Sequence, residues 1–235
     1  MLSIILPTLN EEAFLRRTIL HTLERAESPE RLELLVVDAG STDGTVQSIE
    51  DLNVQVLQKP EFIFKKHESL TYGVSKSTHD IIMFLDADTL LPRHFDVLIE
   101  EKLKNDSAVG GAFEFAFEDP DWKLALLTLV NRIRYRWGKV FYGDQAVFVR
   151  RKALDQIGGV PKEPLMETAF LCKELRKVGQ LSIIRPALKT SPRRFKTHGF
   201  FKVSWFDLNM FIRFNLGLPV SGYAKRYWSK NLTTR

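Results

Sequence analysis

Residues 80–89 read Asp-Ile-Ile-Met-Phe-Leu-Asp-Ala-Asp-Thr. Ile81 to Leu85 is an unbroken apolar run of the kind that forms a short strand buried on both faces. Two carboxylates, Asp86 and Asp88, follow it directly. Ligands of an open α/β sheet bind beyond the carboxyl ends of the strands, so these acids would emerge where a polyphosphate and its cation can be met. Hard oxygen ligands suit Mg²⁺ or Mn²⁺. The same two acids could instead cap a helix begun at Pro92, and the spacing alone leaves both readings open.

Two more loops carry acids after apolar runs: Glu11 and Glu12 after Ser3–Leu6, and Asp38 and Asp43 after Leu32–Val37. The intervening segments read as a helix from Glu11 to about Ala26 with Asn10 as its N-cap, a polar turn over 38–45 leading into a helix to about Leu52, a strand over Val54–Leu57, and a helix near Lys66–Ser77. Strands separated by helices predict βαβ units and a mainly parallel, twisted sheet with helices on both faces. Right-handed crossovers bring parallel strand ends to one edge, where the three acidic loops can converge. The chain has neither G-x-G-x-x-G nor G-x-x-x-x-G-K-[ST], so a nucleotide here would rely on metal rather than on a glycine cradle.

Further along, Ala112–Phe117 alternates weakly, as an edge strand does. Asp119-Pro120-Asp121 opens a helix from Trp122 to about Trp137, and Ala146–Val149 is a further strand behind Gly143-Asp144-Gln145. Glu167 stands at the head of a helix through Leu175, as a proton acceptor or as a plain first-turn acid. Ser191-Pro192-Arg193-Arg194-Phe195 offers two guanidinium forks of the shape that binds diphosphate, and His198 is close enough in sequence to join them.

At 235 residues without repeats or low-complexity tracts, the chain reads as one globular domain. Its single cysteine, Cys172, excludes an internal disulfide and reads as a small core residue or as a nucleophile. The net charge is +5, and Arg185–Arg235 holds 11 Lys/Arg against one acid, Asp207. A basic, aromatic end on an acidic body points to an anionic partner. Leu124–Val130 is too short to cross a bilayer, and without a basic n-region or a small-residue cleavage site around Leu2–Leu6 no secretory signal is expected.

The strings ILPTLNEE (5–12), VVDAGSTDGT (36–45) and IMFLDADT (82–89) resemble, in order and spacing, the nucleotide-sugar motifs of family 2 glycosyltransferases. YGDQAVFVRR (142–151), GGVPKEPLMETAFLCKELRKVG (158–179) and TSPRRFKTHGF (190–200) resemble the second half of small bacterial members. The resemblance implies the GT-A fold, with a nucleotide-sugar half over 1–110, an acceptor and catalytic half over 111–200, and a basic aromatic helix and tail over 201–235. It implies Asp88 as a ligand of Mn²⁺ or Mg²⁺ and Asp86 as a metal or ribose contact. Pro7, Thr8, Glu11 and Asp38 would line the nucleoside pocket, Arg193 and Arg194 would meet the diphosphate, and Lys65 and Lys66 lie where relatives often place a basic residue near the donor, a position that a solvated helix face explains as well. Glu167 would be the base of an inverting transfer, with Asp144 in reserve.

Two departures stand out. Asp38-Ala39 replaces a pair of acids, and Glu167-Thr168 replaces Glu-Asp, so a hydroxyl stands where relatives have a carboxylate. The implied partners are a nucleoside-diphosphate sugar and a sugar or lipid-linked acceptor, with no nucleic acid. A cytoplasmic protein with peripheral contact at the inner, anionic membrane face is expected. A nucleotide-sugar or lipid-phosphate binding protein without transfer is the alternative. A nucleotidyltransferase would need a Gly-rich basic loop after strand one, which Thr8-Leu9-Asn10-Glu11 does not supply.

Overall fold

A computed structural model describes residues 1–224 and 227. The expected basic tail residues Lys225, Arg226, Lys230 and Arg235, with Trp228, lie outside the described residues. Strand β1 (Leu2–Thr8) is flanked by β2 (Leu32–Asp38) and β4 (Ile81–Phe84), and β3 (Gln55–Gln58) pairs with the far side of β2, all in parallel. Ile4, Ile5 and Leu6 are all fully buried. Successive strand residues point to opposite faces, so both faces of the sheet are covered, as the continuous apolar runs require. Helix α2 (Lys66–Lys76) is one such cover: a Cβ at its Gly73 would run into the Ile5 side chain.

Eight strands form one sheet in the order β3-β2-β1-β4-β7-β6-β8-β5. Strand β7 (Phe148–Arg150) runs antiparallel to both β4 and β6 (Ala108–Phe117); β8 (Gln180–Thr190) returns parallel to β6, and β5 (Thr89–Leu90) pairs antiparallel with the end of β8. The expected division at residue 110 falls inside β6.

Four local expectations are corrected. Helix α1 spans Leu15–Arg25 rather than beginning at Glu11, because the first N–H groups to reach the Glu11 carbonyl are those of Phe14 and Leu15, at 3.0 and 2.9 Å. Asn10 is no N-cap. With φ 55° it turns Oδ1 across to the Thr42 N–H at 2.8 Å. The helix expected to reach Leu52 is one 3₁₀ turn, Gln47–Ile49, since the Ser48 hydroxyl takes the Thr45 carbonyl at 2.7 Å as a competing acceptor. Finally, β6 is an interior strand, buried along nearly its whole length.

The reason lies in its glycines, Gly110 and Gly111, whose missing side chains let the Phe148 and Ser182 carbonyls come close on either side. Three further helices complete this part of the chain: α3 (Phe95–Leu103), α4 (Trp122–Gly138), capped where Asp121 accepts from the Leu124 N–H at 2.9 Å, and α5 (Arg151–Gln156). α6 (Glu167–Leu175), α7 (Arg193–His198) and α8 (Phe200–Asn215) follow. Gly111→Ala should cost about 1–3 kcal/mol of stability through backbone overpacking, measured by denaturant unfolding; unchanged stability would remove the close-approach account.

Candidate active site

Parallel pairing places Thr8 beside Asp38 and Ile5 beside Phe84, so the loops after β1, β2 and β4 leave from one edge. The first two are stitched together: the Asn10 N–H donates to Ser41 Oγ at 2.8 Å and the Glu11 N–H to Thr45 Oγ1 at 2.7 Å. Asp38 is spent inside its own loop, accepting from the N–H groups of Gly40 and Ser41 and from the Ser41 hydroxyl. Its neighbour Ala39, with Pro7, Thr8 and Glu11, reaches the cleft instead.

That cleft has a volume of about 740 Å³, and its walls hold Asp86, Asp88, Asp144, Glu167, Arg193 and Arg194. Neither Asp86 nor Asp88 caps a helix. Helix α3 begins at Phe95, where it is Asp96 that accepts from the Glu27 and Ser28 N–H groups. The Asp88 carbonyl instead takes the Ser191 N–H at 3.2 Å, and β5 pairs with β8, so the chain after β8 is drawn to the tip of the acidic loop. Arg193 thereby sits between two acids. Its two terminal nitrogens donate to Glu11 at 2.6 and 2.8 Å, its Nε meets Asp88 Oδ2 at 3.0 Å, and its plane lies 4.6 Å from the Phe14 ring centre.

Lys66, the first residue of α2, joins the other side of the site, 2.5 Å from Asp86 Oδ1 and 3.6 Å from Glu167 Oε1. Burial alone would lower its ammonium, but Asp86 and Glu167 hold it above its ordinary value. Gly143 makes room for this pair, since a Cβ there would stand 2.8 Å from Lys66 Nζ. Glu167 is buried and follows Met166, whose φ of 60° turns the chain into α6. Asp144 is pushed up to about 6 by burial, with the charge of Asp86 adding, and its Oδ1 is buried without a hydrogen-bond partner. Arg194 belongs to another wall, donating to Asp207 at 2.8 Å.

Among the described residues six carboxylates, Glu11, Asp86, Asp88, Asp144, Glu167 and Asp207, thus share one cleft with five cations, Lys65, Lys66, Arg134, Arg193 and Arg194. The acids outnumber the cations by one. Burial first, and the Asp86 and Glu11 charges with it, push Asp88 up to about 7 against the pull of Arg193. Among the described residues no cluster of three or more His, Cys, Asp or Glu forms a ready metal cage. Two carboxylates beside an open cleft fit Mg²⁺ or Mn²⁺ all the same, because these ions take one or two acids and complete their shell from phosphate and water.

Sequence reading named most of this set, with Gly143 inside the Gly143-Asp144-Gln145 segment, but counted Asp207 only as the one acid of a basic end and left Lys66 open; the pairing of Lys66 with Asp86 decides for the cleft. His198 ends α7 and does not line the cleft. Cys172 is a core residue: its thiol is buried against the Phe141 carbonyl and pushed up to about 12 by that burial.

The glycosyl transferase family 2 model matches residues 3–158. The chain belongs to that family. "Cellulose synthase 1 catalytic subunit [UDP-forming]" of Komagataeibacter xylinus is 23% identical over 192 residues, 75% of this chain and 26% of that protein. "Probable glycosyltransferase YdaM" of Bacillus subtilis is 25% identical over 91% of this chain and 54% of its own length. This family 2 chain therefore spans about half of YdaM and a quarter of the synthase subunit. Among solved structures, the mannosyltransferase PcManGT from Pyrobaculum calidifontis, in complex with GDP-Man and Mn²⁺, superposes with a TM-score of 0.63 at 22% identity, covering 81% of this chain and 56% of that one. The fold is that of GT-A glycosyltransferases.

The raised Asp88 gives a stability test whose sign is fixed. Its carboxyl is protonated in both states at pH 3 and ionised in both above pH 8; between the unfolded value near 4 and about 7 the folded state holds the extra proton, so stability is lost as pH rises. Asp88→Asn should therefore raise Tm at pH 8 and leave it nearly unchanged at pH 3.5. A gain of equal size at both pH values would refute the burial of that charge.

Proposed function

We propose that the protein transfers a sugar from a nucleoside-diphosphate donor to an acceptor hydroxyl, with inversion and with Mn²⁺ or Mg²⁺. The observation that carries this is the meeting of Asp86 and Asp88 with Arg193, Asp144 and Glu167 in one cleft at the carboxyl edge of the parallel strands. The GDP-Man and Mn²⁺ bound by PcManGT support the donor class and the metal. Asp86 and Asp88 would hold the cation, which when bound neutralises the departing diphosphate.

The other steps belong to side chains of this chain. Pro7, Thr8, Glu11 and Ala39 border the nucleoside end of the cleft. Arg193 reaches from that end to Asp88, and its fork exchanges a carboxylate for a phosphate without changing geometry. Arg194, held by Asp207, is a second phosphate contact from the opposite wall. Lys66, 2.5 Å from Asp86 and 3.6 Å from Glu167, orients both carboxylates.

The acceptor hydroxyl gives its proton to Glu167, whose carboxylate Lys66 keeps directed into the cleft. One observation favours Asp144 for that role: its unpartnered Oδ1, on a carboxyl held up to about 6, is a free acceptor site near neutral pH. Thr168 lines the same cleft, but its hydroxyl is no base at neutral pH. Acceptors of either kind, free sugar or lipid-linked, present the hydroxyl this chemistry needs.

Three measurements test the reading. Nucleoside-diphosphate affinity should rise with Mn²⁺ and lose that increment in Asp88→Asn, with a smaller loss in Asp86→Asn; the same affinity in Asp88→Asn with and without Mn²⁺ as in the parent would overturn the metal assignment. Glu167→Gln should lower kcat about 10²–10⁴-fold with little change in donor affinity, whereas Asp144→Asn having that effect, and abolishing an acid limb near pH 6, would transfer the role to Asp144. A protein that binds donor but transfers to no acceptor, and gains activity on Thr168→Asp, would be a binding protein whose base has been lost.

A further inference from the structure

Among the described residues, helices α4 and α8 leave a large apolar surface uncovered. On α4 the exposed residues are Trp122, Leu126, Leu129, Val130 and Ile133, and on α8 they are Phe201, Trp205, Leu208, Ile212, with Leu216 just past its end. Both sets follow the three-and-four spacing of a single helical stripe. In each helix the stripe lies opposite a second, buried face: Leu124, Thr128 and Tyr135 on α4, and Val203, Phe206, Met210 and Phe214 on α8. The inner face of α8 packs on Leu165 and Val220 in a small core of its own. Core packing therefore accounts for the inner residues and leaves the outer ones unexplained.

The two stripes form one platform. At one end the Lys123 ammonium lies 5.7 Å from the Trp122 ring and 5.6 Å from the Phe201 ring, bridging the helices. Further along, Val130 and Ile133 from α4 and Leu208 from α8 all border the candidate active-site cleft. Trp122, Phe201 and Trp205 are 73%, 77% and 71% exposed. Patches of this kind on a folded chain mark a binding surface.

The charge around the platform selects its occupant. The two helices carry six basic residues, of which Arg132 and Arg136 pair with the buried Glu114, and one acid, Asp207, which pairs with Arg194, so Lys123, Arg134, Lys202 and Arg213 carry the positive charge of the rim. A second copy of the chain, docked face to face, would set this positive rim against itself. An anionic bilayer meets both features at once: its acyl boundary takes Trp, Phe and Leu, and its headgroups take Lys and Arg.

We propose that the α4–α8 platform seats the protein on an anionic membrane with the cleft mouth at the lipid surface. Among the described residues no helix is long and apolar enough to cross a membrane, so the contact is interfacial. The platform rests on the transferase reading only for its purpose, which is to bring a lipid-linked acceptor hydroxyl to the cleft.

Sedimentation with vesicles of phosphatidylcholine, alone or mixed equally with phosphatidylglycerol, tests this using the full chain. The protein should partition onto the mixed vesicles at low salt, less at high salt and weakly onto phosphatidylcholine alone. The double variant Leu126→Glu, Trp205→Glu should lose at least about tenfold in partitioning, and Lys123→Glu, Lys202→Glu should lose the preference for phosphatidylglycerol. None of these four residues borders the cleft, so nucleoside-diphosphate affinity in lipid-free buffer should be unchanged in both variants; that readout also establishes that they fold. Parent protein left in the supernatant with every lipid, or partitioning unchanged in the Leu126, Trp205 variant, overturns the membrane assignment. A parent dimer that ignores vesicles and is split by the same variant overturns it in favour of a second copy. Each of these failures leaves nucleotide binding and transfer in lipid-free buffer intact and so stands apart from failure of the transferase reading.

Discussion

The site depends on how a buried excess of carboxylate is made tolerable. Glu11 is nearly fully buried and Asp88 largely so, and isolated charges in such surroundings are costly unless a cation with matching hydrogen bonds lies between them. Arg193 fills that place. Its planar fork answers both oxygens of Glu11 while its remaining N–H faces Asp88, a division of labour that a lysine ammonium could not copy in the same geometry. Much of the topology serves to deliver that one side chain: β8 must run back along β6, and β5 must pair with its end, before residue 193 can meet residue 88.

Lys66 solves the same problem from the opposite wall. It enters at the start of a helix anchored on β1 through the close approach of Gly73 to Ile5, and so is fixed to the centre of the sheet rather than to a surface loop. Together the two cations divide the acids into one group around Arg193, Glu11 and Asp88, and another around Lys66, Asp86 and Glu167. Gly143 leaves room beside the second group, since a Cβ there would stand 2.8 Å from Lys66 Nζ and 3.1 Å from Asp86 Oδ2.

The centre of the parallel part was legible because β1, β2 and β4 are largely apolar runs followed by acids. Ile81–Leu85 with Asp86 and Asp88 is the clearest case. Less legible was whatever depends on pairing between distant segments. Residues 112–117 read as an edge because their alternation is weak, yet they lie inside the sheet, since Gly110 and Gly111 admit neighbours that the sequence does not name. Asn10 has the right type and place for an N-cap, and the neighbouring loop outcompeted the helix for its side chain. Glu11 and Asp38 were picked from the same motif logic, but only the first turns its carboxylate to the cleft; the second is used up by Gly40 and Ser41. The basic, aromatic character of α8 was visible in the sequence, while its adjacency to α4 was not, because no short-range pattern tells which of two helices lie side by side.

The ion pair between Glu11 and Arg193 closes a loop of 182 residues. Closing so long a loop is an entropic cost that local contacts do not offset. During synthesis the amino-terminal strands, with their acids, leave the ribosome well before the arginine that neutralises them. A nascent chain that ends before α7 lacks the guanidinium that Glu11 and Asp88 share, so the ion pairs of Arg193 can form only after nearly the whole sheet has been synthesised.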